Sequence, residues 1–212
     1  MRTHGWGGRP PGDDAEARAR ILTATRRLLG ETGNANTSDV AAGLGVTRQT
    51  VYRYYPTTDD LLNAAALDAV GDLVMHLGEH VRRHVLETGA DAGDVAAEVV
   101  AFVYEHLRDD PVLNRLIAPG RISSTLAGLT APSSIALGRS LLADFPLDWA
   151  EAGLDADDQR ELVEHLLRTL QSLVIDPGDP QRSPAELRAY LSRWISPAVR
   201  ARQPGRQVPT RR

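Results

Sequence analysis

The sequence predicts an all-α protein, with a head of three short helices joined by one long helix to an all-helical body. Runs of alternating β-branched and aromatic residues, which indicate strands, are missing. Apolar residues recur at helical spacing through most of the chain, and Ala, Leu, Arg and Glu dominate these stretches. With 212 residues, of which 42% are hydrophobic, the chain is long enough for one or two domains with a real core.

The head is predicted from its capping and stop residues. A first helix begins near Asp13 and ends at Gly33, and its apolar positions are Ala17, Ile21, Ala24 and Leu28. A second helix follows Thr37 and ends before Gly45. Thr47 caps a third helix over 48–55, which ends because the residue before a proline, here Pro56, disfavours the helical conformation.

The body begins with a long helix that Thr57 caps and that carries Asp59 and Asp60 in its first turn. Further helices are expected at about 93–108, 111–118, 122–144, 156–175 and 184–200. Residues 1–12 and 201–212 are rich in Gly, Pro and Arg, and we expect them to be a disordered arm and a disordered basic tail. The domains are therefore placed at 13–56 and 57–200.

Composition and charge exclude several classes of function. There is no cysteine, which removes disulfide frameworks, thiolate zinc sites and cysteine nucleophiles. The net charge is +1 over 1–60, −10 over 61–199 and +5 over 200–212, so any contact with nucleic acid belongs to an end of the chain. No signal-peptide core and no run of 18 apolar residues is seen, so we expect a cytoplasmic protein without a membrane span.

The head has the spacing of a helix-turn-helix. Ala41 stands where the two helices would cross, Gly45 in the turn, and Val51 where the second helix packs on the first. The residues left pointing outward from the second helix include no acid; they are Arg48, Gln49, Thr50, Arg53 and Tyr54. Arg can pair with guanine edges, Gln with adenine, and Thr or Tyr with phosphates, so this face suits a major groove.

The run from Thr37 to Pro56 resembles the N-terminal domain of the TetR family of transcriptional regulators. A helix-turn-helix followed by Val-Tyr-x-x-Tyr-Pro, here Val51 to Pro56, is typical of that family, and the resemblance covers about residues 14–65. It implies a helix-turn-helix DNA-binding domain joined by the long helix to an all-helical ligand-binding and dimerisation domain. It further implies a dimeric, ligand-responsive regulator, most often a repressor, that is not an enzyme and needs no cofactor or metal.

Carried over by position, the resemblance assigns DNA contacts to individual residues. Thr37 and Ser38 would contact the DNA backbone, Arg48, Gln49 and Thr50 would approach base edges, and Tyr52 and Tyr54 would bind phosphates. The full expected interface is Thr37, Ser38, Thr47, Arg48, Gln49, Thr50, Tyr52, Arg53, Tyr54 and Thr58. The family often has His where Tyr54 stands and Lys where Thr58 stands, and Arg2 and Arg9 are candidates to replace the missing cation in a minor groove.

The body offers candidate dimerisation and ligand residues. Two helices carry broad apolar faces, which suggests a self-associating bundle formed by Leu162, Leu166, Leu170, Leu173, Leu187, Tyr190, Leu191 and Trp194. The alternative is that both are ordinary core helices. A small, largely apolar effector would be lined by Leu77, Phe102, Val103, His106 and Arg121. The expected partners are thus duplex operator DNA, a second copy of the chain and this effector.

Two other interpretations remain open. His76, Glu79 and His80 spell H-x-x-E-H, the pattern of inverted zinc proteases, and His84 follows one turn later on the same face. A metal-dependent hydrolase would need a further acidic ligand and a cleft, and it predicts stoichiometric zinc; a pH-sensing role is also open. Alternatively, the chain is an all-α scaffold whose head binds protein, which predicts no salt-dependent binding to duplex DNA.

Overall fold

The computed structural model describes residues 5–117 and 128–202, and within these ranges the chain is helical without a strand. The helices are α1 (Asp14–Thr32), α2 (Thr37–Leu44), α3 (Arg48–Tyr54), α4 (Thr58–Thr88), α5 (Ala92–Asp109), α6 (Pro132–Asp144), α7 (Ala156–Ile175), α8 (Pro184–Trp194) and α9 (Ser196–Arg200). They form two compact units, one of Met1–Asp72 with Arg108–Ala118, the other of Leu73–Leu107 with Pro119–Arg212. The all-α fold is therefore confirmed.

The three helices of the head form where the capping residues predict them. The Asp13 side chain accepts a hydrogen bond from the Glu16 amide at the start of α1, and Gly33 ends the helix in the left-handed conformation. The buried face of α1 consists of Ala17, Ile21, Ala24, Thr25 and Leu29. Leu29 therefore completes the core face in place of Leu28, which is half-buried.

The first half of α4 belongs to the head. Leu61 and Ala65 are fully buried there, and Arg26 of α1 forms ion pairs with Asp68 at 2.9 Å and with Asp72 at 2.6 Å. The division between the units accordingly falls inside α4, after Asp72, whereas the sequence places it at residue 56. A cap marks where a helix begins, but tertiary contacts decide to which unit each of its turns belongs.

By length and composition alone, α4 could cross a membrane, since its most apolar 18-residue window has a mean hydropathy of 1.2. The same test is passed by core helices, and 39% of this window is buried inside the protein. Leu73, Leu77 and Val81 are buried in the second half of α4. These residues pack the second half of α4 into the second unit.

The second unit is built on close helix contacts. A Cβ on Gly93 of α5 would lie 2.8 Å from the Ser196 carbonyl oxygen of α9, and the Ser196 hydroxyl donates to the Gly93 carbonyl. Trp149 is buried, and its indole donates to the Leu142 carbonyl at the end of α6. The predicted helix over 156–175 is confirmed, with Asp155 and Asp158 forming a capping box.

Three predicted helices differ from the structure. The helix expected at 111–118 is a single 3-10 turn, Leu113–Leu116, which the Asp110 carboxylate caps. Of the helix expected at 122–144, residues 122–127 lie outside the described residues, and helix begins only at Pro132. The helix expected at 184–200 breaks at Ile195, because Pro197 has no amide hydrogen to donate to the preceding turn.

Candidate nucleic-acid interface

The turn between α2 and α3 has the geometry that the sequence spacing predicts. Gly45 adopts the left-handed conformation, with φ of 65°, and the Val46 amide donates to the Ala41 carbonyl at 2.9 Å. Ala41 and Val51 are buried at the crossing of the two helices. Both N-termini are capped, because the Asn36 side chain accepts from the amides of Ser38 and Asp39, and Thr47 accepts from Thr50.

This turn presents an exposed face that contains no acid. Thr47, Arg48, Gln49, Tyr52 and Arg53 are exposed, and Ser38 and Thr50 are half-buried. Among the described residues, Arg48 and Gln49 have no hydrogen-bond or ion-pair partner. Arg53 lies 3.1 Å from Asp14, but both side chains are largely exposed, so this ion pair is weak and can be exchanged for a phosphate.

Two of the predicted DNA contacts, Thr37 and Tyr54, are buried in the head, and a third, Thr58, is half-buried. Thr37 is buried, and its hydroxyl lies 3.3 Å from that of half-buried Thr58. Tyr54 is only 7% exposed, its hydroxyl donates to Asp14 at 2.8 Å, and Arg18 lies over its ring. The burial of Tyr54 could have been predicted from helical spacing, because Tyr54 lies three residues after buried Val51 and therefore shares its face.

The predicted ligand residues lie on two packed helices. Leu77 of α4 and Phe102 of α5 are buried, Val103 and His106 are half-buried, and Arg121 lies outside the described residues. The Phe102 ring stacks on His80 and on His106, with centroids 4.4 and 3.9 Å away. A pocket of about 270 Å³ includes none of these residues; it is lined by Leu154, Asp158, Glu161, Leu162, His165, Ile195, Ala198, Val199 and Arg202.

Two histidines of α4, His80 and His84, make specific contacts in the second unit. His80 Nε2 lies 2.8 Å from the buried carboxylate of Glu98, and the His84 ring stacks on His80. Within residues 5–117 and 128–202, no three His, Asp or Glu side chains are placed to hold one metal ion. The arrangement that a hydrolase would need is therefore not formed by His76, Glu79 and His80 in this part of the chain.

Glu98 is instead the centre of an ion-pair cluster that joins α4, α5 and α8. Arg188 donates from Nε to Glu98 Oε2 at 2.9 Å and from Nη1 to Glu105 Oε1 at 2.6 Å. Burial raises the pKa of Glu98, but the hydrogen bonds from Arg188 and His80 outweigh it and hold the pKa below its ordinary value. The hydrogen bonds that Arg188 donates to Glu105 and Glu98 raise the pKa of Arg188 despite its partial burial.

The predicted dimerisation residues fall into two groups. Their six leucines are buried within one chain: Leu162, Leu166, Leu170, Leu173, Leu187 and Leu191. This burial is what the alternative, that they are ordinary core positions, predicts. Tyr190 and Trp194 of α8 are 38% and 68% exposed, and Arg182 lies over the Tyr190 ring at 4.2 Å. A dimer surface on α8 would therefore use Tyr190 and Trp194.

The helix-turn-helix segment and the fold of the chain both resemble those of known proteins. Residues 21–65 match the bacterial regulatory proteins of the tetR family. The repressor AlkX of Dietzia sp., implicated in biodegradation of n-alkanes, superposes with a TM-score of 0.57 at 19% identity, over 87% of this chain and 95% of its own. A putative TetR-family regulator of Mesorhizobium loti gives a TM-score of 0.57 at 17% identity, over 90% and 98% of the two chains.

A third neighbour is the fatty acid degradation regulator FadR of Bacillus halodurans, with a TM-score of 0.52 at 20% identity, over 88% of this chain and 96% of its own. No curated protein matches the sequence.

The segment from α2 through the turn to α3 is therefore a helix-turn-helix, and the exposed face of α3 contains no acidic residue. Residues 21–65 match the model of the tetR family, and most of the chain shares the fold of solved TetR-family regulators.

Proposed function

We propose that this protein is a ligand-responsive repressor, which binds a palindromic operator as a homodimer and is released by a small, largely apolar effector. The observation that carries the proposal is the acid-free face of α3, where Arg48 and Gln49 are exposed beside a capped and correctly spaced turn. A regulator of this kind acts in the cytoplasm, where the DNA is.

Each exposed side chain has a role that its chemistry fits. Arg48 donates to the acceptors of a guanine edge, and Gln49 pairs with an adenine edge. Tyr52, Thr47, Ser38 and Arg53 bind phosphates and hold α3 in register. Two heads of a dimer meet successive major grooves when their α3 helices lie about 34–36 Å apart, which requires half-sites one helical turn apart.

The effector is proposed to bind the second unit near Leu77, Phe102, Val103 and His106, where α4 contributes to the lining. A ligand releases DNA only if it binds one arrangement of the dimer better than the other. The apolar character of the effector is supported by Phe102, Leu77 and Val103, and it is in keeping with the Dietzia and Bacillus halodurans neighbours, whose names concern n-alkanes and fatty acids.

The decisive experiment measures binding of the purified protein to the DNA upstream of its own gene and to a random duplex of equal length, each titrated in salt. The test variant is Arg48→Ala/Gln49→Ala. Its matched control is Arg82→Ala/Arg83→Ala, which changes two exposed residues of α4 in the second unit. Circular dichroism checks that each variant is folded.

We expect the wild type and the control to prefer the upstream DNA, and the test variant to lose this preference while keeping weak, salt-dependent binding. Losing one good base contact weakens specific binding by about 1–3 kcal/mol. If wild type and test variant bind both duplexes equally, α3 does not read base sequence and the proposal is wrong. If no duplex is bound in a salt-dependent way, the scaffold interpretation takes its place.

A further inference from the structure

The N-terminal arm, residues Gly5–Gly12, is packed on the helix-turn-helix. We propose that it is a second DNA-contacting element, with Arg9 neutralising one backbone phosphate next to the site that α3 occupies. The inference rests on the proposed function, because it adds a contact to the same interface. It assigns a role to a segment that lies outside the residues matching the tetR family.

The start of the arm, at Gly5, lies against the turn between α2 and α3. A Cβ on Gly5 would lie 3.0 Å from the Gly45 carbonyl oxygen and 3.1 Å from Cγ1 of Val46. Such distances are tighter than ordinary van der Waals contact, so only glycine fits here without displacement. Val46 immediately precedes Thr47 and Arg48, and the arm is thereby held beside the start of α3.

Two hydrogen bonds fix the other end of the arm to α1. Arg20 donates from Nη1 to the Arg9 carbonyl, and Glu16 accepts from the Gly12 amide at 2.7 Å. Arg20 and Glu16 also form an ion pair with each other. The Gly12 amide and the Arg20 guanidinium lower the pKa of Glu16, which keeps this acceptor charged. Arg20 and Glu16 are positioning residues for the arm.

Three successive residues of the arm have positive φ angles, which is an unusual backbone conformation. Trp6 has a φ of 68°, which is rare for a bulky residue, and Gly7 and Gly8 follow at 63° and 83°. Strained backbone persists where the surrounding structure determines it, and such positions cluster at functional sites. Here the strained turn directly precedes Arg9.

Arg9 is free to meet a phosphate. Its side chain is exposed, and among the described residues it has no acidic partner, whereas Arg20, Arg26 and Arg27 of α1 are all paired with carboxylates. Arg9 is therefore an exposed cation without an acidic partner among the described residues, four residues after Gly5, which lies beside the turn.

The test is a salt titration of binding to a random duplex of 40 base pairs and to the upstream DNA, with Arg9→Gln beside the control Arg82→Gln. Each lost phosphate contact makes the plot of log K against log salt shallower by about 0.9. For a dimer, Arg9→Gln is expected to reduce the ratio of affinities at 50 and 200 mM salt by about tenfold, on both duplexes alike. Arg82→Gln should match the wild type.

A second variant moves the arm without changing charge. Gly5→Val should displace the arm from Val46 and give a slope between those of the wild type and Arg9→Gln, because the hydrogen bonds of Arg9 and Gly12 to α1 remain. Its control is Gly30→Ala, where an added Cβ meets no atom within 4 Å. If both Arg9→Gln and Gly5→Val keep the wild-type slope, the inference about the arm is overturned.

The failure of the proposed function looks different. In that case the Arg48→Ala/Gln49→Ala variant would bind the upstream DNA as the wild type does, whatever the arm variants show. A wild type that binds neither duplex would overturn both proposals together.

Discussion

At the scale of single residues, Tyr52 and Tyr54 show that two tyrosines on the same short helix, two positions apart, can have different roles. They lie about 200° apart around the axis of α3, so that Tyr52 faces solvent and Tyr54 faces the core. The Tyr54 hydroxyl is bonded to Asp14, and Arg53 contacts it as well. The Tyr54 hydroxyl therefore holds α3 on α1, whereas the Tyr52 hydroxyl is exposed and is the one proposed to bind DNA.

Replacing each tyrosine by phenylalanine separates these roles. Tyr54→Phe is expected to lower the free energy of unfolding by about 1 kcal/mol, since it removes a hydrogen bond to a carboxylate. Tyr52→Phe should leave stability unchanged and weaken DNA binding on any sequence. Urea unfolding and a DNA titration of both variants check this, and equal effects of the two on DNA affinity would contradict the assignment.

Most of the candidate interface can be predicted from sequence, because the pattern of a helix-turn-helix fixes which positions of α3 point outward. Arg48, Gln49 and Tyr52 are exposed as expected. The burial of Thr37 and Thr58 could not be predicted in this way, because it depends on a contact between α2 and α4. The two threonines that make this contact are 21 residues apart along the chain. The packing of the arm on Val46 likewise has no signal in the local sequence.

Glu98 gives a prediction about pH. Its pKa lies below the ordinary 4.5 in the folded protein, so the cluster with Arg188 and His80 stabilises the fold above pH 4.5. This stabilisation is lost as the pH falls through the lowered pKa, because the unfolded chain then takes up the proton more readily. The free energy of unfolding should therefore decrease between pH 4.5 and the acid limit.

The variant Glu98→Gln isolates this contribution. It is expected to be less stable than the wild type at pH 7 by roughly 2 kcal/mol, because charged hydrogen bonds are lost. Below pH 4.5 its stability should fall less steeply than that of the wild type. Urea unfolding at a series of pH values measures both, with Glu87→Gln, at an exposed position of α4, as the control. Parallel pH profiles for the two variants would refute the role of Glu98.

At the scale of helices, the contact between α6 and α7 depends on one glycine. A Cβ on Gly138 would lie 2.5 Å from Cγ1 of Val163, a distance that real Cβ atoms essentially never show. The obstacle is a side chain, in contrast to Gly93 of α5, whose nearest neighbour is the Ser196 backbone. Shortening the Val163 side chain should therefore relieve the crowding caused by Gly138→Ala. It should not relieve the crowding at Gly93, where the neighbouring atoms are backbone.

We expect Gly138→Ala to lower the free energy of unfolding by about 1–3 kcal/mol, the usual range for an overpacked core. The double variant Gly138→Ala/Val163→Ala should recover part of this loss relative to the sum of the single changes. Thermal unfolding of the four proteins gives the coupling. If the two effects simply add, α6 and α7 do not approach each other at these residues.

Helix ends are predicted well where a side chain caps them and poorly where packing decides. Asp155 and Ser183 form capping boxes, and α7 and α8 begin at the predicted residues, 156 and 184. The break at Ile195 was missed because the apolar spacing of α8 continues past it, and the missing amide of Pro197 weighs more than the periodicity.

At the scale of the whole molecule, the leucines of α7 and α8 show the limit of amphipathic patterns. A broad apolar face indicates that a helix is covered, but not whether its own chain or a second copy covers it. In this protein Leu162, Leu166 and Leu191 are buried within their own chain, whereas Trp194 at the end of α8 is exposed. Ile175, at the end of α7, is also exposed.

The oligomeric state is therefore expected to depend on Trp194. Exposed Trp residues are common energetic centres of interfaces, and truncating one weakens association by 2 kcal/mol or more, about 30-fold. Trp194→Glu should shift the protein from dimer to monomer in sedimentation equilibrium without changing its helicity, because the side chain makes few contacts within its own chain. Leu86→Glu, an equally exposed apolar position on α4, is the control and should remain dimeric. A dimer needs both heads to hold a palindromic site, so the Trp194 variant should also lose specific DNA binding at concentrations where the control keeps it. Dimers of wild-type strength in the Trp194 variant would move the interface away from α8.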